Sequence, residues 1–403
     1  MTKSAEEKKM QTQLRNFAFN ELDNILNYWG KNSIDNINGG FVGRIDNMQN
    51  IDFKASKGLI LNARILWTFS AAYKILKRPE LLNIAERAYN YILNNFSDIE
   101  NGGYYWMLNN IGKPENTKKQ IYAQAFVIYG FSEYFSINQN KECYSSTIAI
   151  LDLIEKYAFD GDKNGYFEAF TLDWKEETAD LRLSAKDMNE KKTMNTHLHV
   201  LEAYTNFYKV FKDNKLKSKI LNLLDIFNEK IVNFNDKHFD LFFNEDWERK
   251  SDIISFGHDI EGSWLLYEAA EIVGSEKYVE KQKVIAVDMA YEVAKAINKD
   301  GGLEHDKERN GNSDGEFEWW AQAESIVGFV NAYQLSGDIK FLNAAVNMKS
   351  FIENYFIDKK FGEWYYRIDA NYRPILHYDK VGFWKCPYHN ARMCIELIKR
   401  LEE

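Results

Sequence analysis

Proline is almost absent: four residues in 403. A chain this poor in helix breakers is free to run in long helices. Cysteine is equally scarce, with three residues and no CxxC pair. That argues against a disulfide scaffold and against a standard cysteine zinc site, and fits reduced thiols in a cytoplasmic protein. No run of about 18 apolar residues exists, so no segment reads as a membrane span. The N-terminus, MTKSAEEKKMQTQLRNF, is charged and helical in pattern, unlike a signal peptide. There is no basic block, and the net charge is −9, which speaks against nucleic acid or an anionic membrane as partner. Histidines number only seven, and four of them fall in three short apolar stretches. Aromatic residues, by contrast, make up 15% of the chain, a share that fits either a large aromatic core or ring-binding clefts.

Segments rich in Asp, Asn, Gly and aromatics recur around Gly40, Gly103, Gly165, Asp240, Gly302 and Gly362, at spacings of 63, 62, 75, 62 and 60 residues. Each reads as a short β-hairpin or loop, with glycine for the turn and alternating aromatics for a strand. The intervals hold two helices each. One is rich in small and apolar residues and belongs inside: 57–76, 117–137, 194–211, 256–273, 318–336 and 384–402. The other carries a charged face and belongs outside, as in 78–96, 275–297 and the N-terminal 5–29. YAQAFVIYGF (122–131) and WAQAESIVGF (320–329) show the repeat directly. Neither end carries an obvious polar capping repeat and no Pro/Ser-rich linker occurs, so the six repeats are expected to close into an all-α (α/α)6 barrel. Short β-hairpins would lie at one end and the chain, 1–403, would form a single domain.

Aligning the inner helices puts Arg64, Phe126, His199 and Glu324 in one layer. Tyr122, Asn195, His258 and Trp320 fall one turn earlier, with His389 near the same level. A rim of this kind at one barrel mouth suits a polar ligand. Arg64, among Ile60, Leu61 and Trp67, is either a buried ion-pair member or an anion-binding group. His197 and His199 are about 200° apart on a helix, so only His199, which shares a face with Asn195 and Glu202, is placed in the pocket; His197 is expected to be a satisfied core residue. His258 and Glu261 share a face, as a pocket pair or a simple hydrogen-bonded pair. Trp106, Trp319, Trp320 and Trp384 offer stacking faces. Glu316, Glu318 and Glu324 are the carboxylates a glycosidase would need, but no pair stands out. A metal held by histidines alone is the remaining alternative, with no standard ligand spacing to support it. Histidines with an arginine, without a nucleotide loop, suit proton transfer at carbon: imidazole moves the proton, and the cation holds the enediolate oxyanion.

RILWTFSAAY, NTHLHVLEAY, GHDIEGSWLL, WWAQAESIVGF and WKCPYHNARMCIE resemble, in order, the hallmark segments of the N-acylglucosamine 2-epimerase superfamily, most closely its cellobiose 2-epimerase branch. The resemblance runs from about Arg15 to the C-terminus. It implies an (α/α)6 barrel that epimerises C2 of the reducing-end glucose in β-1,4-linked disaccharides, as a monomer and without metal or nucleotide cofactor. It also implies His258 and His389 as the acid/base pair, His199 as the third pocket histidine and Arg64 as enediolate stabiliser. Sugar contacts would come from Tyr122, Asn195, Glu261, Trp320 and Trp384. Gly262 departs from the Ala expected in HDIEGSW, a change that should at most enlarge the pocket slightly. The same fold also leaves open an aldose–ketose isomerase, an epimerase of mannose or N-acylglucosamine, a glycoside hydrolase or a sugar-binding barrel.

Overall fold

The computed structural model describes residues 4–177 and 179–401; the extreme ends of the expected 1–403 domain and Thr178 lie outside the described residues. Twelve α-helices alternate outer and inner: α1 (Ala5–Asn32), α2 (Leu59–Leu76), α3 (Pro79–Tyr91), α4 (Ile121–Asn138), α5 (Lys141–Leu153), α6 (Met194–Val210), α7 (Asn214–Ile226), α8 (Phe256–Val273), α9 (Glu276–Lys295), α10 (Trp319–Ser336), α11 (Ile339–Phe351) and α12 (Tyr388–Arg400). The even-numbered helices form the inner ring. In α4 every residue from Ile121 to Tyr134 is buried, and in α10 every residue from Trp319 to Tyr333. The outer helices bury one stripe, such as Leu81, Ala85, Ala88 and Tyr89 of α3. Four of them, α3, α5, α7 and α11, end in a π-helical turn.

The ring closes. Helix α12 packs against α2 as well as α10, and α1 covers α12. Beside the helices, Ile45 N–H donates to Val381 O at 2.9 Å, joining the first hairpin to the last. The protein is therefore an (α/α)6 barrel. Its last inner helix starts at Tyr388 rather than 384, because Trp384 to Pro387 remain in the loop that enters it.

The expected short hairpins lie at one end of the barrel. Each tight turn is closed by a short bridge, such as Ser97 to Tyr104 or Phe159 to Tyr166. The main ladders run between repeats: the two or three residues before each of the first five inner helices pair with the outgoing strand of the next repeat, as Lys119–Gln120 do with Ala169–Phe170. An Asp or Asn opens each turn by accepting backbone N–H groups, as Asp98 does from Glu100 and Asn101 at 3.1 Å each. All of this structure gathers at the N-terminal ends of the inner helices, and there the chain leaves a cavity.

Candidate active site

The cavity measures about 420 Å³ and receives side chains from every inner helix: Arg64 (α2), Tyr122 (α4), Asn195 and His199 (α6), His258 and Glu261 (α8), Trp319 and Trp320 (α10), and His389 (α12), with Trp384 from the preceding loop. Two residues expected to touch a sugar stand behind this surface. Trp106 packs on Phe383 and Trp384, at ring distances of 4.8 and 6.0 Å. Glu324 is fully buried and reaches the site only through its neighbours. His197 is turned away from the cavity: its Nε2 accepts the Tyr166 N–H at 2.9 Å and its Nδ1 meets Thr193 O at 2.6 Å, which staples a turn to α6. Gly262 also faces elsewhere. A Cβ there would stand 2.2 Å from Phe239, so the glycine admits that ring and does not enlarge the pocket.

Arg64 is buried with no carboxylate partner among the described residues. Its guanidinium donates to Tyr122 Oη at 2.7 Å and to Cys386 Sγ at 3.8 Å, and it lies over the rings of Phe126 and Tyr388 at 4.3 and 4.9 Å. Burial works against its charge, but the neighbouring Tyr122 and Cys386 outweigh that and keep it a cation. A buried guanidinium whose charge no acid balances is a standing site for an anion.

A second buried arginine, Arg392, went unnoticed in the sequence. It bonds Glu202 and Glu261 and lies 2.7 Å from Glu324, so one cation serves three carboxylates. That excess of negative charge is divided unequally. Burial and then the Glu324 charge push the Glu261 carboxyl up to about 7, and its Oε2 has no partner. Glu202, despite burial, is held down at about 2 by Arg392 and His199. Two of the carboxylates orient histidines: His199 Nδ1 lies 2.8 Å from Glu202 Oε2, and His389 Nδ1 lies 2.8 Å from Glu324 Oε1. An Nδ1–H given to Glu324 leaves the Nε2 lone pair of His389 free. Burial, with Arg64 and Arg392 nearby, depresses the His389 pKa far below its usual value, and burial takes His258 down to about 3. Both imidazoles are neutral at pH 7. The Trp320 ring lies 4.7 Å from His258 and 5.5 Å from His389.

Glu261, Glu324 and His389 bring three ligating atoms within 4.8 Å of one another. Arg392 already occupies the carboxylate side of that cluster, so a divalent cation would meet a guanidinium; the donor set suits a metal poorly. The remaining carboxylates weighed for glycoside cleavage, Glu316 and Glu318, both bond Arg367. Ser255, His305, Asp306, Tyr366, Arg367, Tyr378 and the 183–187 loop also line the cavity, with no motif or periodicity in the chain to mark them. Ser255, Asp306 and Arg367 come from strands paired with residues some fifty positions away, and the others from loops.

The model of the N-acylglucosamine 2-epimerase family matches residues 39–391. The chain belongs to that family. It is 46% identical over 375 residues to a cellobiose 2-epimerase of Bacteroides fragilis, covering 93% of this chain and 95% of that protein. A cellobiose 2-epimerase of Dictyoglomus turgidum is 38% identical over 392 residues, covering 96% and 99%. The solved structure of cellobiose 2-epimerase from Bacillus thermoamylovorans superposes with a TM-score of 0.92 at 40% identity, covering 96% of this chain and all of that one. Family membership makes the protein an isomerase of the epimerase class.

Proposed function

We propose that the protein epimerises C2 of the reducing-end glucose of β-1,4-linked disaccharides, taking cellobiose to glucosylmannose and lactose to epilactose. The observation that carries this reading is the pairing of two neutral imidazoles, His258 and His389, with an arginine that no carboxylate among the described residues neutralises, all lining one cavity. The relatives named cellobiose 2-epimerase supply the substrate class.

Ring opening exposes the C1 carbonyl and acidifies the C2 proton. One imidazole removes it through Nε2, and the enediolate oxygen that gains charge is met by Arg64 and the Tyr122 hydroxyl. Rotation about C2–C3 presents the other face, and the second imidazole returns a proton there. His199, fixed by Glu202, and Asn195 contact the sugar hydroxyls; Trp320, Trp384 and Trp319 stack on the rings. Glu261, whose pKa near 7 leaves it part-protonated at neutral pH, has both a donor and an acceptor to offer. On this reading the whole chain is one catalytic domain that works as a monomer in the cytoplasm, with no metal or other cofactor. The net charge of −9 and the lack of any described helix apolar enough to cross a membrane are in keeping with a small-molecule substrate.

Incubation with cellobiose in deuterated water tests the reading. Deuterium at C2 of a new mannose-ended disaccharide is the expected product. A ketose as main product would replace epimerisation with isomerisation, free glucose would mean hydrolysis, and no turnover would leave a binding protein. Activity should survive exhaustive chelation; its loss, restored by added metal, would overturn the metal-free mechanism.

A further inference from the structure

The last rung of each short ladder stands directly before an inner helix, at the cavity edge. In the first three ladders this rung pairs Gly58 with Met107, Gln120 with Ala169, and Thr193 with Phe242, so one side is always apolar. The fourth and fifth are polar on both sides: Ser255 faces Asp306, and Glu318 faces Arg367. Each of these two rungs touches the side chain that its helix sends into the cavity. Glu318 Oε2 accepts the Trp320 Nε1–H at 2.5 Å. Ser255 Oγ lies 2.8 Å from His258 Nδ1.

We propose that the Ser255–Asp306 rung is the positioning device of His258: the serine hydroxyl gives its hydrogen to Asp306 and accepts the Nδ1–H of His258, leaving Nε2 as the proton-transfer atom. The proposal rests on the proton-transfer reading of His258 above. Its logic is a count of hydrogens. A hydroxyl has one to give, and an ionised carboxylate has none. Asp306 is the ladder partner of Ser255, which sets both side chains on one face; its buried Oδ1 has no hydrogen-bond partner among the described residues and is open to the serine hydrogen, while its Oδ2 lies 3.1 Å from His305 Nε2. With the hydroxyl hydrogen committed to Asp306, only the Nδ1–H tautomer of His258 completes the chain. The two proposed bases are then oriented by different means. His389 has a buried carboxylate, Glu324, directly at Nδ1, whereas His258 reaches its carboxylate through a hydroxyl.

Histidine-selective 15N NMR on the free enzyme reads the tautomer, with His258→Gln to assign the signal. Wild type should show His258 neutral with hydrogen on Nδ1, and Ser255→Ala should mix the two tautomers. In cellobiose turnover Ser255→Ala should lower kcat about 10- to 100-fold with KM within about two-fold, as for loss of a residue that orients a working histidine. Ser255→Thr, which keeps the hydroxyl, should recover most of the loss, and Asp306→Asn should fall between. Hydrogen on Nε2 in wild type, unchanged kcat in Ser255→Ala, or a threonine variant as slow as the alanine one would each overturn the proposal. Wild-type enzyme that never exchanges the C2 proton would sink the proton-transfer reading instead, and the tautomer measurement, made without substrate, would still decide the rung.

Discussion

Replacing Glu324 with glutamine should move stability and turnover in different directions. Glu324 Oε1 sits 2.8 Å from His389 Nδ1 and 2.7 Å from Arg392, fully buried. Burial lifts its carboxyl above the ordinary range even though Arg392 pulls the other way, so holding this carboxylate ionised costs the folded chain stability. Its oxygen lies within 4.8 Å of the Glu261 carboxylate. Two unit charges that close repel by about 3–4 kcal/mol at an effective dielectric of 20. Glutamine removes that repulsion and the burial cost of the charge, keeps an oxygen for His389, and leaves Glu202 and Glu261 as counter-ions of Arg392. The melting temperature should therefore hold or rise. Turnover should fall about 10- to 100-fold, or about 1.4–2.7 kcal/mol of transition-state stabilisation, because an imidazolium forming on His389 no longer meets a carboxylate. The assay pairs thermal unfolding with steady-state cellobiose epimerisation, and KM should change little. A variant that melts several degrees lower, with activity tracking its folded fraction, would refute the argument and make Glu324 a structural residue. Normal turnover would refute it from the other side.

His258→Ala and His389→Ala should each abolish turnover while leaving the unfolding curve near wild type; near-normal kcat in either would remove that residue from the acid/base pair. Arg64→Ala should lower kcat far more than it raises KM, since its partner charge develops only in the transition state; a loss confined to KM would mark a ground-state contact. Stability itself should depend on pH through Glu168, which burial pushes up to about 8 against hydrogen bonds from Thr193 and Thr196. The folded chain keeps a proton that the unfolded chain releases above its ordinary value of 4.5, so stability should fall by about 1.4 kcal/mol per pH unit until the folded carboxyl ionises near 8. Glu21 and Glu261, both near 7, add to that slope only at lower pH. Glu168→Gln should flatten the decline between pH 7 and 8, measured by denaturant unfolding; equal slopes in variant and wild type would count against the assignment.

Much of this site was legible because the inner helices are so apolar. Arg64, His199 and His258 interrupt largely apolar runs, and the six-fold repeat brings them to one level. Arg392 carries the same signal, three residues after His389, but the sixth helix gives up its first turn to the loop from Trp384 to Pro387, and without that register its partners Glu202, Glu261 and Glu324 cannot be aligned to it. The neighbour of Gly262 is hidden for a related reason. Register fixes its height on α8 but not the direction of its Cα–H, which points at Phe239. Ser255 with Asp306 and Glu318 with Arg367 were out of reach altogether, since strands of two or three residues leave no periodicity to read.

The placement of charge around the ring follows one rule. A lysine on the strand before the inner helix reaches back to the aspartate that opens its own turn: Lys57 to Asp35, Lys119 to Asp98 and Lys192 to Asp160, each at 2.7 Å, and Lys380 to Asp358. All four pairs are buried, and removing one partner of such a pair leaves an isolated charge costing about 3–5 kcal/mol. The fourth and fifth repeats have lost both partners together: Asn233 and Asn298 open the turns, and Ile254 and Phe317 stand in the ladder positions of the lysines. Joint loss is what the energetics require, because either half alone would be a buried unpaired charge. Adjacent residues of a strand point to opposite faces, so the same two-residue ladder can be polar toward the hairpin or toward the cavity. In the fourth and fifth repeats the polarity has moved across, from the staple to Ser255–Asp306 and Glu318–Arg367. Those are the repeats that present His258 and Trp320, so in this half of the ring the ladder has exchanged an anchoring role for the orientation of side chains in the site.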